Sequence, residues 1–352
     1  MNLTVFDETY VTMGCCQSAE SKAATERSQM IDKYLLEDAW RVRNKVNMMV
    51  VGSDESGKST LMKQIKILFD GGYSEGELKR YRAAVHCDII RYICHIVRAM
   101  DRLGITFGDV ARADDARQLP MFARGAVTEE LAGVIQRLWD DEGVQACFSR
   151  SHEYQLSNSA SYFLNNLGRM CQSDYIPTQQ DMLWTKANIN TILEYFPYRD
   201  WYFTIVDMQN RWLIRKIDIT FNVILFSTSL CDYDGELSPG ENYMHFNIQL
   251  LRNICRNRWM QTAQVVLLFL NKKDLFEQKI SQTPLTICFP EYRGSNTYEE
   301  AAAFIQEQFE SQCGPERRVF TQFTCATDTK SINIAFNAAA DFILQDTTVL
   351  CC

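Results

Sequence analysis

The sequence predicts an α/β fold: a mostly parallel sheet with helices on both faces, interrupted by an all-helical insert. Three observations lead there. The run Val46–Val51 reads as a buried strand; it feeds the glycine-rich Gly52-Ser53-Asp54-Glu55-Ser56-Gly57-Lys58-Ser59, and a helical pattern opens near Thr60 and runs to Leu68. From about residue 183 onward, short apolar strands alternate with helical patterns, which is the signature of parallel strands joined by crossover helices. Between them, residues 70–182 show helical periodicity and almost no strand signal, as in the stripe Leu131, Val134, Ile135, Leu138.

The elements follow in chain order. Residues 1–45 form an N-terminal extension. Within it, Ile31, Leu35 and Val42, continuing to Val46, recur at helical spacing over 19–46, so one amphipathic helix is expected. Residues 46–69 are the first strand, glycine loop and helix; 70–182 are the insert; 183–352 complete the sheet domain. The strands expected in the last part are Phe203–Val206, Val223–Phe226, Val265–Leu270 and Phe320–Thr324. The clearest helices are Glu299–Phe309 and Ile332–Leu344.

Composition narrows the function. The chain has 352 residues, 46% of them apolar, enough for one large or two ordinary domains. A formal charge of −8 argues against a nucleic-acid partner held by phosphate contacts. The first dozen residues lack the basic start of a secretory signal. Thirteen cysteines scattered through a long chain of this kind are expected to be reduced thiols. His86, Cys87, Cys94 and His95 resemble a metal cluster. However, on one helix Cys87 and Cys94 lie ~10 Å apart along the axis, too far to share an ion without a partner segment.

The glycine loop is G-x-x-x-x-G-K-S. A strand, a tight turn and a helix start aim backbone N–H groups and the helix dipole at one point, which favours polyphosphate. Lys58 is placed to reach terminal phosphates and Ser59 to offer its hydroxyl to Mg²⁺. Asn271-Lys272-Lys273-Asp274 follows directly on a predicted strand, where ligands of open α/β sheets bind. Asp274 there can accept two hydrogen bonds from N1–H and the 2-amino group of guanine, a pattern adenine lacks. Thr324-Cys325-Ala326-Thr327 follows the next strand, with a backbone N–H available for the guanine carbonyl. A solvated turn is the better account of Lys273 taken alone.

With these motifs in hand, the chain resembles the alpha subunits of heterotrimeric G proteins, over about Met13 to Leu344. Phe107–Leu119, Tyr175–Asp181 and Gly294–Ala302 are closest to the inhibitory class. The resemblance implies a Ras-like GTPase domain, a helical domain closing over GDP or GTP with Mg²⁺, a beta-gamma dimer as partner, a G-protein-coupled receptor driving exchange, and an adenylate cyclase-type effector. It implies a nucleotide site of Glu55, Ser56, Gly57, Lys58, Ser59, Thr60, Ser159, Asp207, Asn271, Lys272, Asp274, Cys325, Ala326 and Thr327, with Ser59 and, indirectly, Asp207 serving the metal.

The chain departs from that family where hydrolysis is performed. Asp54 stands in place of a glycine, Lys186 in place of the arginine finger, Ile189 in place of the Mg²⁺ threonine (Thr191 lies two positions on), and Asp207-Met208-Gln209-Asn210 in place of Asp-x-Gly-Gly. Lysine keeps charge but loses the bidentate fork, and a hydrocarbon gives a hard cation nothing. Gln209 is a poor substitute for the catalytic glutamine. GTP hydrolysis is therefore expected to be slow or lost. The alternative is a non-catalytic scaffold that sequesters beta-gamma through residues 19–46; a P-loop small-molecule kinase would have no use for N-K-x-D.

At the ends, Met13-Gly14-Cys15-Cys16-Gln17-Ser18 matches an N-myristoylation signal with adjacent palmitoylation cysteines. If translation starts at Met13, Gly14 and Cys15 are the lipidation sites and the expected location is the cytoplasmic face of the plasma membrane; otherwise it is the cytosol. The ending Thr347–Cys352 differs from the receptor-docking tail of the family, and its Cys-Cys also resembles a prenylation end.

Overall fold

The computed structural model describes residues 19–119, 127–154, 156–187, 193–207 and 219–345. The chain divides into two compact units, Met1–Lys45 and Val46–Cys352.

The first unit is dominated by one helix, α1 (Ala19–Arg43). Met30, Ile31, Tyr34 and Leu35 are exposed along it, together with Leu36 and Trp40. It ends earlier than its periodicity predicts. The Asn44 N–H still bonds the Trp40 carbonyl, but Val46 is fully buried in the first strand and does not extend the helical stripe.

The second unit is built on a six-stranded sheet. Its strands are β1 (Lys45–Val51), β2 (Leu193–Tyr198), β3 (Trp201–Asp207), β4 (Val223–Ser229), β7 (Val265–Asn271) and β8 (Arg318–Phe323), in the order β2-β3-β1-β4-β7-β8. β1, β4, β7 and β8 pair in parallel, with Met48 opposite Val223, Val223 opposite Val265 and Val265 opposite Arg318. β2 and β3 form an antiparallel hairpin. A separate short hairpin joins β5 (Glu236–Ser238) to β6 (Glu241–Asn242).

β4 and β7 are buried at every position, as central strands covered on both faces must be. Alternate residues go to opposite layers. Met49, Ile224, Phe226, Val266, Leu268 and Leu270 pack with residues of α10 (Tyr243–Cys255), α11 (Lys273–Ile280) and α12 (Tyr298–Glu310). Met48, Val50, Val223, Leu225, Leu267 and Phe269 pack with α2 (Lys58–Phe69) and α13 (Thr329–Leu344). Each such side chain contributes about 1.5–3 kcal/mol of burial.

Residues 70–182 hold the third core, and every regular element among the described residues there is helical. These elements are α3 (Glu75–Leu103), α4 (Arg112–Gln118), α5 (Glu129–Trp139), α6 (Glu142–Ser149), a 3-10 turn (Ser151–Tyr154), α7 (Ser159–Leu164), α8 (Leu167–Met170) and α9 (Gln179–Trp184), the last crossing position 182/183. α3 starts at a capping box: Ser74 Oγ accepts from the Glu77 N–H, and the Glu77 carboxylate accepts from the Ser74 N–H at 2.9 Å. The single apolar stripe Leu131, Val134, Ile135, Leu138 is buried, as its spacing predicts.

The sheet differs from expectation in two places. β2 was not foreseen, because Glu194 and Pro197 break the apolar run; a proline is tolerated there since β2 is an edge strand. The last strand runs Arg318–Phe323, so Thr324 lies beyond it. The Thr324 N–H bonds the Leu270 carbonyl at 2.9 Å and its own carbonyl accepts from the Lys273 N–H at 3.2 Å, which turns the chain toward Asn271.

Candidate nucleotide site

The loop between β1 and α2 is held open by backbone geometry. Gly52, Glu55 and Gly57 have φ of 152°, 61° and 94°. A Cβ on Gly52 would lie 2.0 Å from the Ser227 carbonyl oxygen, and one on Gly57 would lie 2.0 Å from Asn271 Nδ2. Both positions therefore require glycine for close approach as well as for φ.

Asn271 ties three loops together. Its Nδ2 donates to the Ser56 carbonyl at 3.2 Å, and its Oδ1 accepts from the Ala326 N–H at 2.8 Å and from Thr324 Oγ1 at 3.4 Å. Ser227 Oγ also donates to the Ser56 carbonyl (2.9 Å), and Gln64 Nε2 donates to the Ala326 carbonyl (2.8 Å). The G-x-x-x-x-G-K-S loop, N-K-x-D and T-C-A-T thus form one braced unit.

Over this unit lies a cavity of about 450 Å³. Among the residues assigned from the sequence, Glu55, Gly57, Lys58, Ser59, Thr60, Ser159, Lys186, Asn271, Lys272, Asp274, Cys325, Ala326 and Thr327 line it. Ser56 is completely buried beneath, and Asp207 ends β3. Asp54 is also in the wall. Gln209, Ile189, Thr191, Gly14, Cys15 and the C-terminal Cys351 and Cys352 lie outside the described residues.

The sequence reading missed part of the wall. Leu156, Ser157, Asn158 and Ser161 come from the start of α7 and the segment before it, and Leu183, Trp184 and Thr185 from the end of α9. Trp184 is stacked on Tyr162, centroids 5.0 Å apart and planes 15° apart. Tyr162 is fixed in turn because its hydroxyl donates to Asp181 Oδ1 at 2.6 Å. Asp181 has no exposed surface. It takes a bidentate pair from Arg169 (2.8 and 2.7 Å), the Tyr175 hydroxyl (2.9 Å) and the Thr178 N–H (2.8 Å). Burial alone would raise its pKa; these donors hold it well below the usual carboxylate range.

The segment carrying Lys186 is gripped from both sides. Buried Lys63 of α2 donates to the Thr185 carbonyl at 2.7 Å. Buried Asp88 of α3 accepts from Thr185 Oγ1 at 2.8 Å and from the Lys186 N–H at 3.0 Å. Burial pushes the Lys63 ammonium down to about 8, with Asp88 opposing. The Lys186 ammonium reaches across to Glu55 Oε1 at 2.8 Å. Desolvation raises the Glu55 pKa, but the Lys186 bond and charge, with Lys272, bring it below its ordinary value.

Lys58 is buried and donates to the Gly52 carbonyl at 2.7 Å and to the Ser53 carbonyl. Burial lowers its pKa, while the carboxylates of Asp207 and Asp54 act against that. The buried hydroxyls of Ser53 and Ser56 have no protein partner. A polyphosphate fits this cradle, where Lys58 and the start of α2 line one cavity. The oxygen donors Ser59 and Asp207 suit magnesium, which takes one or two protein ligands and fills the rest with phosphate and water. His86, by contrast, is committed to structure: Nε2 donates to the Met170 carbonyl (2.9 Å) and Nδ1 accepts from the Val127 N–H (3.1 Å).

A mostly parallel sheet with a G-x-x-x-x-G-K-S loop after β1 and an N-K-x-D sequence at the end of β7, both facing one cavity, is the arrangement of a P-loop nucleotide-binding protein. The comparison with known families is more specific. The sequence profile described as G-protein alpha subunit matches residues 25–343, and the chain belongs to that family. It is a guanine-nucleotide-binding alpha subunit, of a family that works with a beta-gamma dimer and receptors.

Proposed function

We propose that this chain is an alpha subunit of the inhibitory type that holds GDP or GTP with Mg²⁺ and hydrolyses GTP slowly or not at all. The observation that carries the nucleotide part is the cavity of about 450 Å³ in which all three motifs meet the helical insert. When bound, the metal would neutralise phosphate charge. Lys58 and the loop N–H groups bind phosphate, Asp274 accepts from the base, and Leu156–Ser161 with Trp184 exclude water.

Hydrolysis in this same G-protein alpha family depends on positioning a water and stabilising charge at the terminal phosphate. Two features of this chain oppose that. The Asp54 carboxylate stands in the cavity wall, and Lys186, paired with Glu55, offers a point charge where a planar fork would serve. The beta-gamma partner, the receptor, a cyclase-type effector and membrane attachment through Gly14 and Cys15 complete the proposal. They rest on the resemblance, as does the inhibitory type.

The test is single-turnover GTP hydrolysis on protein first shown, by nucleotide release on denaturation, to carry guanine nucleotide. The wild-type rate is expected to lie far below that of an Asp54→Gly/Lys186→Arg variant, which should gain about tenfold or more, roughly 1.4 kcal/mol of barrier. A wild-type rate already equal to the variant's would refute impaired hydrolysis and leave nucleotide binding standing.

A further inference from the structure

Thr185 caps the C-terminal end of α9, where the chain leaves the helical insert. It is buried, and every polar group it has is engaged. Its N–H donates to the Asp181 carbonyl at 3.0 Å. Its carbonyl accepts from Lys63 Nζ at 2.7 Å. Its hydroxyl donates to Asp88 Oδ2 at 2.8 Å and accepts from the Ala187 N–H at 3.3 Å. The same Asp88 oxygen accepts from the Lys186 N–H at 3.0 Å. Lys63 belongs to α2, the helix that starts from the phosphate loop, and Asp88 to α3 of the insert. The two lobes hold one residue between them, one with a cation and the other with an anion.

Other bonds tie this wall of the cavity to the sheet domain, and burial ranks them. Gln180 Nε2 donates to the Thr327 carbonyl at 3.3 Å in an exposed setting, and Thr60 Oγ1 to the Leu183 carbonyl at 3.4 Å. Lys186 and Glu55 pair at 2.8 Å, but their side chains are 43% and 64% exposed, and solvent screens such a pair. Lys63 and Asp88 are each 3% exposed. A buried charge parted from its partner stays uncompensated in a low dielectric, the costliest separation of the set. Asp88 has an ion pair with Arg91, but Arg91 lies on α3 as well and stays with it. Lys63 has the Thr185 carbonyl and the charge of Asp88, both outside α2.

We propose that Lys63 and Asp88 are positioning residues which, by clasping Thr185 between them, set how long the cavity keeps its nucleotide. The inference rests on the guanine-nucleotide reading above. Leu183, Trp184 and Thr185 line the cavity, and neither Lys63 nor Asp88 is among its lining residues, so the two charges act through Thr185. When this wall swings away to let a ligand out, Thr185 must leave Lys63 or Asp88, and either separation strands a buried charge. The clasp slows departure from the closed cavity and leaves entry into the open one unaffected.

The test follows N-methylanthraniloyl-GDP leaving the loaded full chain during a chase with excess unlabelled GDP. Asp88→Asn keeps an acceptor and removes the charge; Thr185→Val keeps the shape and removes the hydroxyl; Lys63→Met removes the cation. Each should speed dissociation about tenfold, as the loss of one hydrogen bond to a charged group implies, with association unchanged. The Lys63→Met/Asp88→Asn pair should release nucleotide more slowly than the product of the single effects, because neither charge is then stranded. Val134→Ala, in the buried stripe of α5 and outside the cavity lining, controls for lost stability: it should lower the urea midpoint and leave dissociation at the wild-type rate. Thr185→Val decides if the charge variants do not fold. Dissociation from the variants at the wild-type rate, or no faster than from Val134→Ala, would overturn the clasp and leave nucleotide binding standing. A wild-type chain that takes up no guanine nucleotide would overturn both.

Discussion

Asn271 was read from the sequence as one of the residues that hold guanine; it lines the cavity, and its side chain also bonds to protein at Ser56, Thr324 and Ala326. Removing it leaves the Ala326 N–H without its acceptor in a buried setting, a loss of about 1–3 kcal/mol, while the Ser56 carbonyl keeps its bond from Ser227 Oγ. Asn271→Ala should therefore destabilise the folded chain by about 1–3 kcal/mol in urea titration and weaken guanine nucleotide binding at the same time. Asp274→Ala, altering a residue of the cavity wall, should weaken nucleotide binding with far less loss of stability. Contiguity made this part of the site legible: eight successive residues encode the phosphate loop, and each base-reading motif follows its own strand. What pattern could not show is that the same asparagine is a brace, because its three partners lie as far as 215 residues away.

At the scale of elements, α7 and α9 set the helical wall of the cavity, and Asp88 of α3 holds the segment that follows α9. Within that lobe, His86 is held as the neutral tautomer by Met170 and Val127, and burial first of all lowers its pKa from 6.5, with the charge of Arg82 adding to that. A group whose folded pKa is depressed favours folding fully above its unfolded pKa. That contribution is lost as pH falls from about 6.5 toward the lower folded value. Stability should decline over this acid window, and His86→Phe should decline less steeply; chemical denaturation at several pH values compares the two slopes. Asp181 offers a second check. Asp181→Ala leaves the Tyr162 and Tyr175 hydroxyls without their acceptor, at a cost of about 1–3 kcal/mol each, and should loosen the Tyr162–Trp184 stack. The spacing of Leu131, Val134, Ile135 and Leu138 announced these helices, but the edge strand β2 was hidden because Pro197 and Glu194 disguise an edge whose pairing comes from β3.

For the whole chain, the sequence divided the sheet domain and insert as 46–69 with 183–352, and 70–182. The structure gives these stretches separate cores and one shared cavity. The resemblance already implied that the helical stretch closes over the nucleotide, with Ser159 in the site; Leu156, Ser157, Asn158 and Ser161, which carry no motif, were the illegible part of that wall. A ligand gripped by both lobes should raise the unfolding temperature of the chain: at a hundred times its dissociation constant, GDP should add about 2.7 kcal/mol, read by calorimetry with ATP as the negative control.

Trp184 adds a property that no other cavity residue has. Its indole lines the cavity and rests on a phenol ring that is itself anchored, so its excited state samples the contents of the chamber. Emission from the folded chain should change colour or brightness as guanine nucleotide enters and leaves, and Trp184→Phe should silence most of that signal among the six tryptophans present. The polypeptide thus carries its own lamp for following occupancy in real time, with no dye attached.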